Sequence, residues 1–132
     1  RPRRMAAAAL NKKIMDSILS QEPYAKIVSM GDLNDDPNDK SLKKVLKTKA
    51  REEAVGLREI YNPMERMAKR GQGTLAYRDS WNLFDQILLS AAWLSKDYET
   101  FQFYKAGIFN KRFLQTLDYH FPIFRKYPFS FS

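Results

Sequence analysis

The chain has 132 residues and carries 23 Lys and Arg against 15 Asp and Glu, a net charge of +8. This length fits one ordinary domain, and the basic excess favours polyanionic partners such as nucleic acid, phosphorylated small molecules or an anionic membrane surface. The absence of cysteine excludes disulfides, thiol catalysis and zinc held by thiolates. No apolar run approaches the roughly 20 residues that a membrane-spanning helix requires.

The first half of the chain predicts a helix, a strand and a second helix. Apolar residues recur every three or four positions over residues 5–20, which predicts an amphipathic helix. Residues 25–30, AKIVSM, are apolar and partly β-branched, and this predicts a short strand buried on both faces. After the turn at Gly31, a short helix is predicted over residues 40–47.

The second half predicts mainly strands. Residues 74–77 and 83–89 are predicted strands that follow a loop containing Gly71 and Gly73. Residues 100–105 alternate aromatic and polar side chains, which predicts a half-exposed strand. Together these elements predict helices packed beside a sheet.

The stretch SMGDLNDDP, residues 29–37, places four acidic or amide side chains just after the first predicted strand: Asp32, Asn34, Asp35 and Asp36. A calcium-binding EF-hand loop is one interpretation, but Pro37 stands where glycine is needed and Lys43 where glutamate is needed. A polar turn would require only the turn propensity of Asp and Asn. In a catalytic rim, the Asp would accept a proton or hold a cation and the Asn would bond an anionic oxygen, as phosphoryl chemistry needs.

Two motifs in this order resemble those of a known family. MGDLNDDP, residues 30–37, resembles the GDxN motif of the endonuclease/exonuclease/phosphatase family, the deoxyribonuclease-I-like hydrolases. WNLFDQILLS, residues 81–90, resembles that family's strand of an aromatic, an Asp and an apolar run ending in Ser. YKAGIFNKRFL, residues 104–114, is similar to a segment of bacterial members. The resemblance implies an α/β (α+β) fold: the second half of a four-layered α/β sandwich, with a mixed sheet and flanking helices.

The resemblance also implies that residues 1–132 form a single partial domain, the C-terminal part of the family's domain. The Asn and Glu that bind metal in the family, and its first His motif, have no match here. We therefore expect this chain alone to be inactive or nearly so. We also expect it to pair with the missing N-terminal half or to form a homodimer.

Carried over position by position, the resemblance assigns four catalytic residues. Asp32 would activate the attacking water or bind the metal, and Asn34 would hydrogen-bond the scissile phosphate. Asp85 would orient a catalytic histidine, although a strand-end carboxylate paired with Arg or Lys is an equal alternative. His120 in LDYHFPIF is the candidate histidine, unless the true one lies beyond the chain. We expect Asp32 and Asp85 to be neighbours at strand ends that face a shared polar cleft.

The implied cofactor is Mg²⁺, or else Mn²⁺ or Ca²⁺, absent or weakly bound in a fragment. The implied substrates are nucleic acid, phosphorylated small molecules or lipid head groups. The alternative function is a non-enzymatic basic module that binds polyanions or a protein partner. Basic residues that would attract phosphate, or merely be solvated, cluster at Arg1, Arg3 and Arg4, over residues 40–51, and at Lys69 and Arg70. Three aromatic residues would stack on a base or pack in the core: Tyr77, Trp81 and Phe84.

Overall fold

The computed structural model describes residues 1–77, 80–109, 115–117 and 126–128, and these form an α+β fold. Its elements in chain order are α1 (Pro2–Gln21), β1 (Val28–Asp32), a π-helical turn (Ser41–Leu46), a 3₁₀ turn (Glu52–Ala54), β2 (Ile60–Tyr61), α2 (Met64–Lys69), β3 (Leu75–Tyr77), β4 (Ser80–Asn82), β5 (Asp85–Ser90), a second 3₁₀ turn (Ala91–Leu94), β6 (Gln115–Leu117) and β7 (Lys126–Pro128). The α+β fold class predicted from the sequence is confirmed, whereas the four-layered arrangement stays a prediction. The strand predicted at residues 100–105 is wrong, because those residues have no regular secondary structure.

The central sheet has three strands in the order β1-β5-β2. Both pairings are antiparallel, with Val28 opposite Leu89 at one end of the β1–β5 ladder and Asp32 opposite Asp85 at the other. Strands β3 and β4 form a separate antiparallel pair, as do β6 and β7. The last residue of β1 and the first residue of β5 therefore lie side by side at one end of the central sheet.

One face of the central sheet is buried against α1 and the π-helical turn. The buried residues that form this core are Ala8, Met15, Leu19, Leu42, Leu46, Ile60 and Leu88. They come from all three layers, since α1, the π-helical turn and the strands β2 and β5 each supply at least one. Asn11 adds a polar link, donating from Nδ2 to the Ser29 Oγ on β1 at 2.9 Å.

The opposite face of the sheet is largely open to solvent. Met30 is 73% exposed, Val28 45% and Ile87 37%. The prediction that residues 25–30 are buried on both faces is therefore wrong, because α1 covers one face only and β1 is an edge strand. The far end of the open face is partly covered, since the Phe103 ring meets the Tyr61 ring edge-on at 5.5 Å between centroids.

Strand β1 also begins later than the sequence predicts. Residues 25–27 precede the strand and are held by the side chain of Ser90 instead of by a regular ladder. The Ser90 Oγ accepts from the Ile27 N–H at 2.8 Å and donates to the Ala25 carbonyl at 2.6 Å. This serine is fully buried, so its hydroxyl satisfies backbone groups that a strand would otherwise pair.

A second, smaller core lies under α2. Met64, Met67 and Leu83 are buried together, and Ile108 packs against them. Nearby, Gly73 approaches the β4 backbone so closely that a Cβ atom would lie 2.6 Å from the Asn82 carbonyl oxygen. Glycine is therefore required where the chain enters the β3–β4 hairpin.

Truncating Leu19 should destabilise the protein far more than truncating Leu10, which lies on the same helix. Leu19 is 1% exposed in the main core, whereas Leu10 is 59% exposed. Because only Leu19→Ala leaves a cavity, we expect it to lower the free energy of unfolding by about 2–5 kcal/mol. Urea denaturation of Leu19→Ala and Leu10→Ala measures the difference, and equal effects would contradict this placement of α1.

Candidate functional site

Asp32 and Asp85 lie side by side at one end of the central sheet. They are directly opposite in the antiparallel register of β1 and β5. Side chains opposite each other in such a pair point to the same face. Both residues are exposed, so the structure presents two carboxylates to solvent at one sheet edge. The expectation that these two strand ends are neighbours agrees with this geometry.

Asn34 is held beside Asp32 by a tight turn. Its N–H donates to Asp32 Oδ1 at 2.9 Å, and its φ of 54° is left-handed. Asn is one of the few residues that adopts this conformation readily. The Asp32 carboxylate and the Asn34 backbone are therefore joined by a side-chain-to-backbone turn.

Asp35 anchors the loop to the rest of the protein. It is 3% exposed, and its carboxylate accepts from Arg4 Nη1 at 2.5 Å and from Ser41 Oγ at 2.6 Å. The same Arg4 nitrogen also donates to the Asn34 carbonyl oxygen. One arginine of α1 thus fixes both the buried acid and the residue before it.

A buried amide network joins the loop to β5. Gln86 donates from Nε2 to the carbonyl oxygens of Asp35 at 2.6 Å and Leu83 at 2.9 Å. Its Oε1 accepts from Asn62 Nδ2 at 2.9 Å. Gln86 and Asn62 are both buried, and Gln86 directly follows Asp85. The backbone that carries Asp85 is therefore tied to the loop that carries Asp32.

Asp36 has a structural contact of its own. Its Oδ1 accepts from the Leu83 N–H at 2.6 Å, just before β5. Burial raises the pKa of the Asp36 carboxyl above its ordinary value, and the Leu83 N–H partly offsets the rise. The charges of Asp39 and Asp35 raise this pKa further. Asp36 thus holds two chain segments together.

The geometry does not support the EF-hand interpretation. The residues before the loop form strand β1, whereas an EF-hand loop follows a helix. The Asp36 carboxylate, which would be a calcium ligand, bonds the Leu83 N–H. In the described part of the chain no group of three or more His, Asp or Glu side chains is placed to hold a metal.

The donor set does fit magnesium in its usual mode of binding. Mg²⁺ keeps several waters and is bound through one or two carboxylates together with substrate phosphates. Asp32 with Asp85 opposite supplies that number of carboxylates at one exposed edge. Asp32 and Asn34 also line a cleft of about 400 Å³ between α1 and β1, together with Arg3 and Arg4.

His120, the fourth residue predicted for the site, lies outside the described residues. The site residues that sequence reasoning missed are Asp35 as an anchor, Gln86 and Asn62. Gln86 carried a readable signal, since it is an amide at an inward position within an apolar strand, DQILLS. In the sequence, Arg4 is one of three clustered basic residues, and nothing in its spacing points to Asp35.

Residues 1–129 match the Endonuclease/Exonuclease/phosphatase family. The chain belongs to this family. Searches of curated proteins and of solved structures return no significant match. Membership confirms the resemblance drawn from the GDxN-like and WNLFDQILLS motifs, and it indicates phosphoester hydrolysis, including nuclease activity, at the level of the family. The family's substrates are accordingly nucleic acid or other phosphoesters.

The structure also bears on membrane insertion. Within the described ranges, no helix combines the length and apolar character that crossing a bilayer requires. Helix α1 has 20 residues and carries four Lys and Arg, namely Arg3, Arg4, Lys12 and Lys13, together with one acidic residue, Asp16, which pairs with Lys12.

Removing Arg4 should loosen the loop that carries Asp32. In Arg4→Gln the buried Asp35 loses its charged partner, so we expect a loss of about 2–3 kcal/mol in the free energy of unfolding. Arg51→Gln, which removes an equal charge from an exposed position, should cost about 0.5 kcal/mol or less. Urea denaturation provides both values.

A double-mutant cycle tests whether the cost belongs to this ion pair. Asp35→Asn should destabilise the wild-type chain more than it destabilises the Arg4→Gln variant. Strictly additive costs would show that Arg4 and Asp35 do not stabilise the fold together.

Proposed function

We propose that this chain is part of a metal-dependent phosphoesterase that hydrolyses phosphodiesters or phosphomonoesters with an activated water. The observation that carries the proposal is the side-by-side placement of Asp32 and Asp85, with Asn34 hydrogen-bonded to Asp32. Two carboxylates thus lie at one end of the sheet with an asparagine next to one of them, and these are the groups needed to hold a cation, handle a proton and bind an anionic oxygen.

Asp32 and Asn34 take complementary roles in this proposal. Asn34 uses its N–H and its carbonyl within the loop, which leaves its exposed side-chain amide available to a phosphate oxygen. Asp32 accepts one hydrogen bond from Asn34 and retains lone pairs to polarise or deprotonate the attacking water. Since the loop fixes both groups before substrate binds, little reorganisation accompanies the reaction.

Asp85 is proposed to orient the catalytic histidine. The alternative role, a carboxylate paired with Arg or Lys, finds no support in the described residues, where the ion pairs involve other acids. A carboxylate next to an imidazole fixes its tautomer and stabilises its charged form. We propose His120 for this histidine, with a histidine beyond the chain as the other candidate.

Asp32 would hold the metal, Mg²⁺ or else Mn²⁺ or Ca²⁺. When bound, the ion offsets phosphate charge and lowers the pKa of bound water. Because Asp32 alone does not complete a coordination shell, we propose that the ion binds weakly or not at all to this chain by itself. The remaining ligands would come from a missing N-terminal half of the domain.

The exposed sheet face supports the proposal that residues 1–132 are the C-terminal part of a larger domain. Val28, Met30 and Ile87 form an apolar surface on the face that also carries Asp32 and Asp85. Large exposed apolar patches on soluble proteins commonly mark an interface. A partner covering this face, either the N-terminal half or a second copy, would also enclose the carboxylates and exclude water.

Asp32→Asn and Asn34→Ala should each lower kcat by at least about a hundredfold, because each removes a group that acts in the transition state. The assay is Mg²⁺-dependent hydrolysis of bis-p-nitrophenyl phosphate by the chain joined to its upstream residues. The isolated chain should show little or no turnover.

Asp16→Asn is the matched control, since Asp16 is an exposed acid on α1 that pairs only with Lys12 among described residues. Unchanged rates for Asp32→Asn and Asn34→Ala would reject the roles assigned here. No hydrolysis by any version would favour the non-enzymatic polyanion-binding module.

Met30→Lys should abolish association through the open sheet face. Its charge would be buried and unpaired in any such interface, which is strongly unfavourable. We expect the wild-type chain to elute as a dimer, or to bind the separately produced N-terminal half, and Met30→Lys to do neither. Gel filtration measures both, with Lys44→Met as a control for a change at a remote exposed site. A compact wild-type monomer that binds no N-terminal half would contradict the proposal.

A further inference from the structure

A buried amide joins the loop of Asn34 to the segment that precedes Asp85. Gln86 is 2% exposed, and its Nε2 donates to two backbone carbonyls, that of Asp35 at 2.6 Å and that of Leu83 at 2.9 Å. The first carbonyl belongs to the residue after Asn34, and the second lies two residues before Asp85. One side-chain amide therefore bridges the two segments that carry the candidate site.

Gln86 lies on the opposite face of the sheet from the candidate site. Its side chain is buried, whereas that of its neighbour Asp85 is exposed. Successive side chains of a strand point to opposite faces of the sheet. Gln86 can therefore influence a reaction at the exposed carboxylates only through the backbone that it holds.

A second buried amide fixes the orientation of the first. Gln86 Oε1 accepts from Asn62 Nδ2 at 2.9 Å, and Asn62 Oδ1 accepts from the Met64 N–H at 3.0 Å. Because a backbone N–H can only donate, the Asn62 amide has to direct its own donor towards Gln86. The donors of Gln86 then face the two carbonyls. Glutamate at this position would place an oxygen against those carbonyls, and lysine could not accept from Asn62.

The link made by Gln86 acts on Asn34 more directly than on Asp32. Asp32 lies in the ladder between β1 and β5, and the N–H of the next residue, Leu33, donates to the Phe84 carbonyl at 2.8 Å. Asn34 lies beyond this ladder and has a left-handed φ of 54°. The direction of its side chain therefore depends on how the peptides that follow it are held.

We infer that Gln86 is a positioning residue, which holds the Asn34 amide in the direction needed to bond the phosphate. Arg4 holds the carbonyl of Asn34 from α1, and Gln86 holds the next carbonyl from β5. The inference rests on the proposed function, because it takes Asn34 as the residue that bonds the phosphate. The contribution of Asn34 to the transition state then depends on an amide that no substrate touches.

The test is a double-mutant cycle in the kcat of the chain joined to its upstream residues, measured with bis-p-nitrophenyl phosphate and Mg²⁺. Gln86→Met keeps the length of the side chain but removes its donors and its acceptor, so kcat should fall about tenfold with KM unchanged. In the Asn34→Ala background the same substitution should change kcat by less than about twofold, since the group that it misplaces is absent. Effects that multiply in the double variant, or an unchanged kcat in Gln86→Met, would overturn the inference.

Leu19→Ala separates positioning from a general loss of stability. Leu19 belongs to the main core and lies about 22 Å from Arg4 along α1, at 1.5 Å per residue. At a temperature at which circular dichroism shows both variants folded, Leu19→Ala should keep the wild-type kcat. Equal losses of kcat in Leu19→Ala and Gln86→Met would overturn the inference.

Asn62→Ser replaces Gln86→Met in the cycle if that variant does not fold. The serine hydroxyl can still accept from the Met64 N–H, but it is too short to reach Gln86. The Gln86 amide then loses the partner that orients it. A fall in kcat that disappears in the Asn34→Ala background supports the inference, and a fall that multiplies with Asn34→Ala, or no fall, overturns it.

Amide hydrogen exchange provides a readout that does not depend on turnover. The Asn34 N–H donates to Asp32 Oδ1, and the Leu33 N–H donates to the Phe84 carbonyl. Gln86→Met should speed exchange of the Asn34 amide about tenfold and leave that of Leu33 unchanged, because only the loop beyond the ladder loses its support. Equal acceleration at both amides would indicate a general loosening of the fold and would overturn the inference.

The two proposals fail in different ways. If Asn34→Ala lowers kcat and Gln86→Met acts independently of it, the proposed function stands and the positioning role is rejected. If Asn34→Ala leaves kcat unchanged, the assigned role of Asn34 is rejected, and with it the catalytic purpose of Gln86.

Discussion

The buried carboxylate of Asp35 is the interaction on which the arrangement of the site depends. Arg4 from α1 and Ser41 from the π-helical turn both donate hydrogen bonds to this carboxylate. Gln86 of β5 donates to the backbone carbonyl of the same residue. A charge taken out of water is tolerated only when it is paired and hydrogen-bonded. The loop can therefore pair the Asp35 carboxylate in only a few conformations. Because Asn34 directly precedes Asp35, its backbone is restricted to those same conformations.

The residues of the acidic stretch fall into two groups, one with structural contacts and one exposed to solvent. Asp35 and Asp36 face the protein and hold backbone and side-chain donors of neighbouring elements. Asp32 and Asn34 face solvent at the end of the sheet. The polar-turn interpretation thus describes some residues of the stretch, while the proposed chemistry concerns the others. A cluster of acids following a strand is better explained residue by residue than by one role for all.

The sequence predicted the elements better than their partners. Hydrophobic periodicity predicted helix α1, and Gly31 predicted the turn after β1. The order of the two family motifs predicted that Asp32 and Asp85 lie at neighbouring strand ends. The sequence could not show that α1 covers only one face of the sheet. An apolar run such as AKIVSM is compatible with a strand whose second face is covered and with one whose second face is open. The alternation over residues 100–105 gave a wrong prediction for a related reason. Phe103 packs on Tyr61 while Phe101 is exposed, and within the described ranges no strand pairs with this segment.

Long-range polar contacts were the least accessible from the sequence. Arg4 and Asp35 are separated by 31 positions, and neither has a spacing that singles out the other. Gln86 was readable only as an anomaly within an apolar strand. The role of such residues depends on where buried donors and acceptors lie in three dimensions. Local patterns of hydrophobicity do not carry that information.

The pairing of Asp32 with Asp85 has a further thermodynamic consequence. Like charges directly opposite in an antiparallel ladder repel each other and weaken the sheet at that point. A repulsion between the two carboxylates therefore acts at this end of the sheet, and a neutral pair of residues would not cause it. Replacing either carboxylate by its amide would remove this repulsion, so the presence of both acids is not explained by the stability of the sheet.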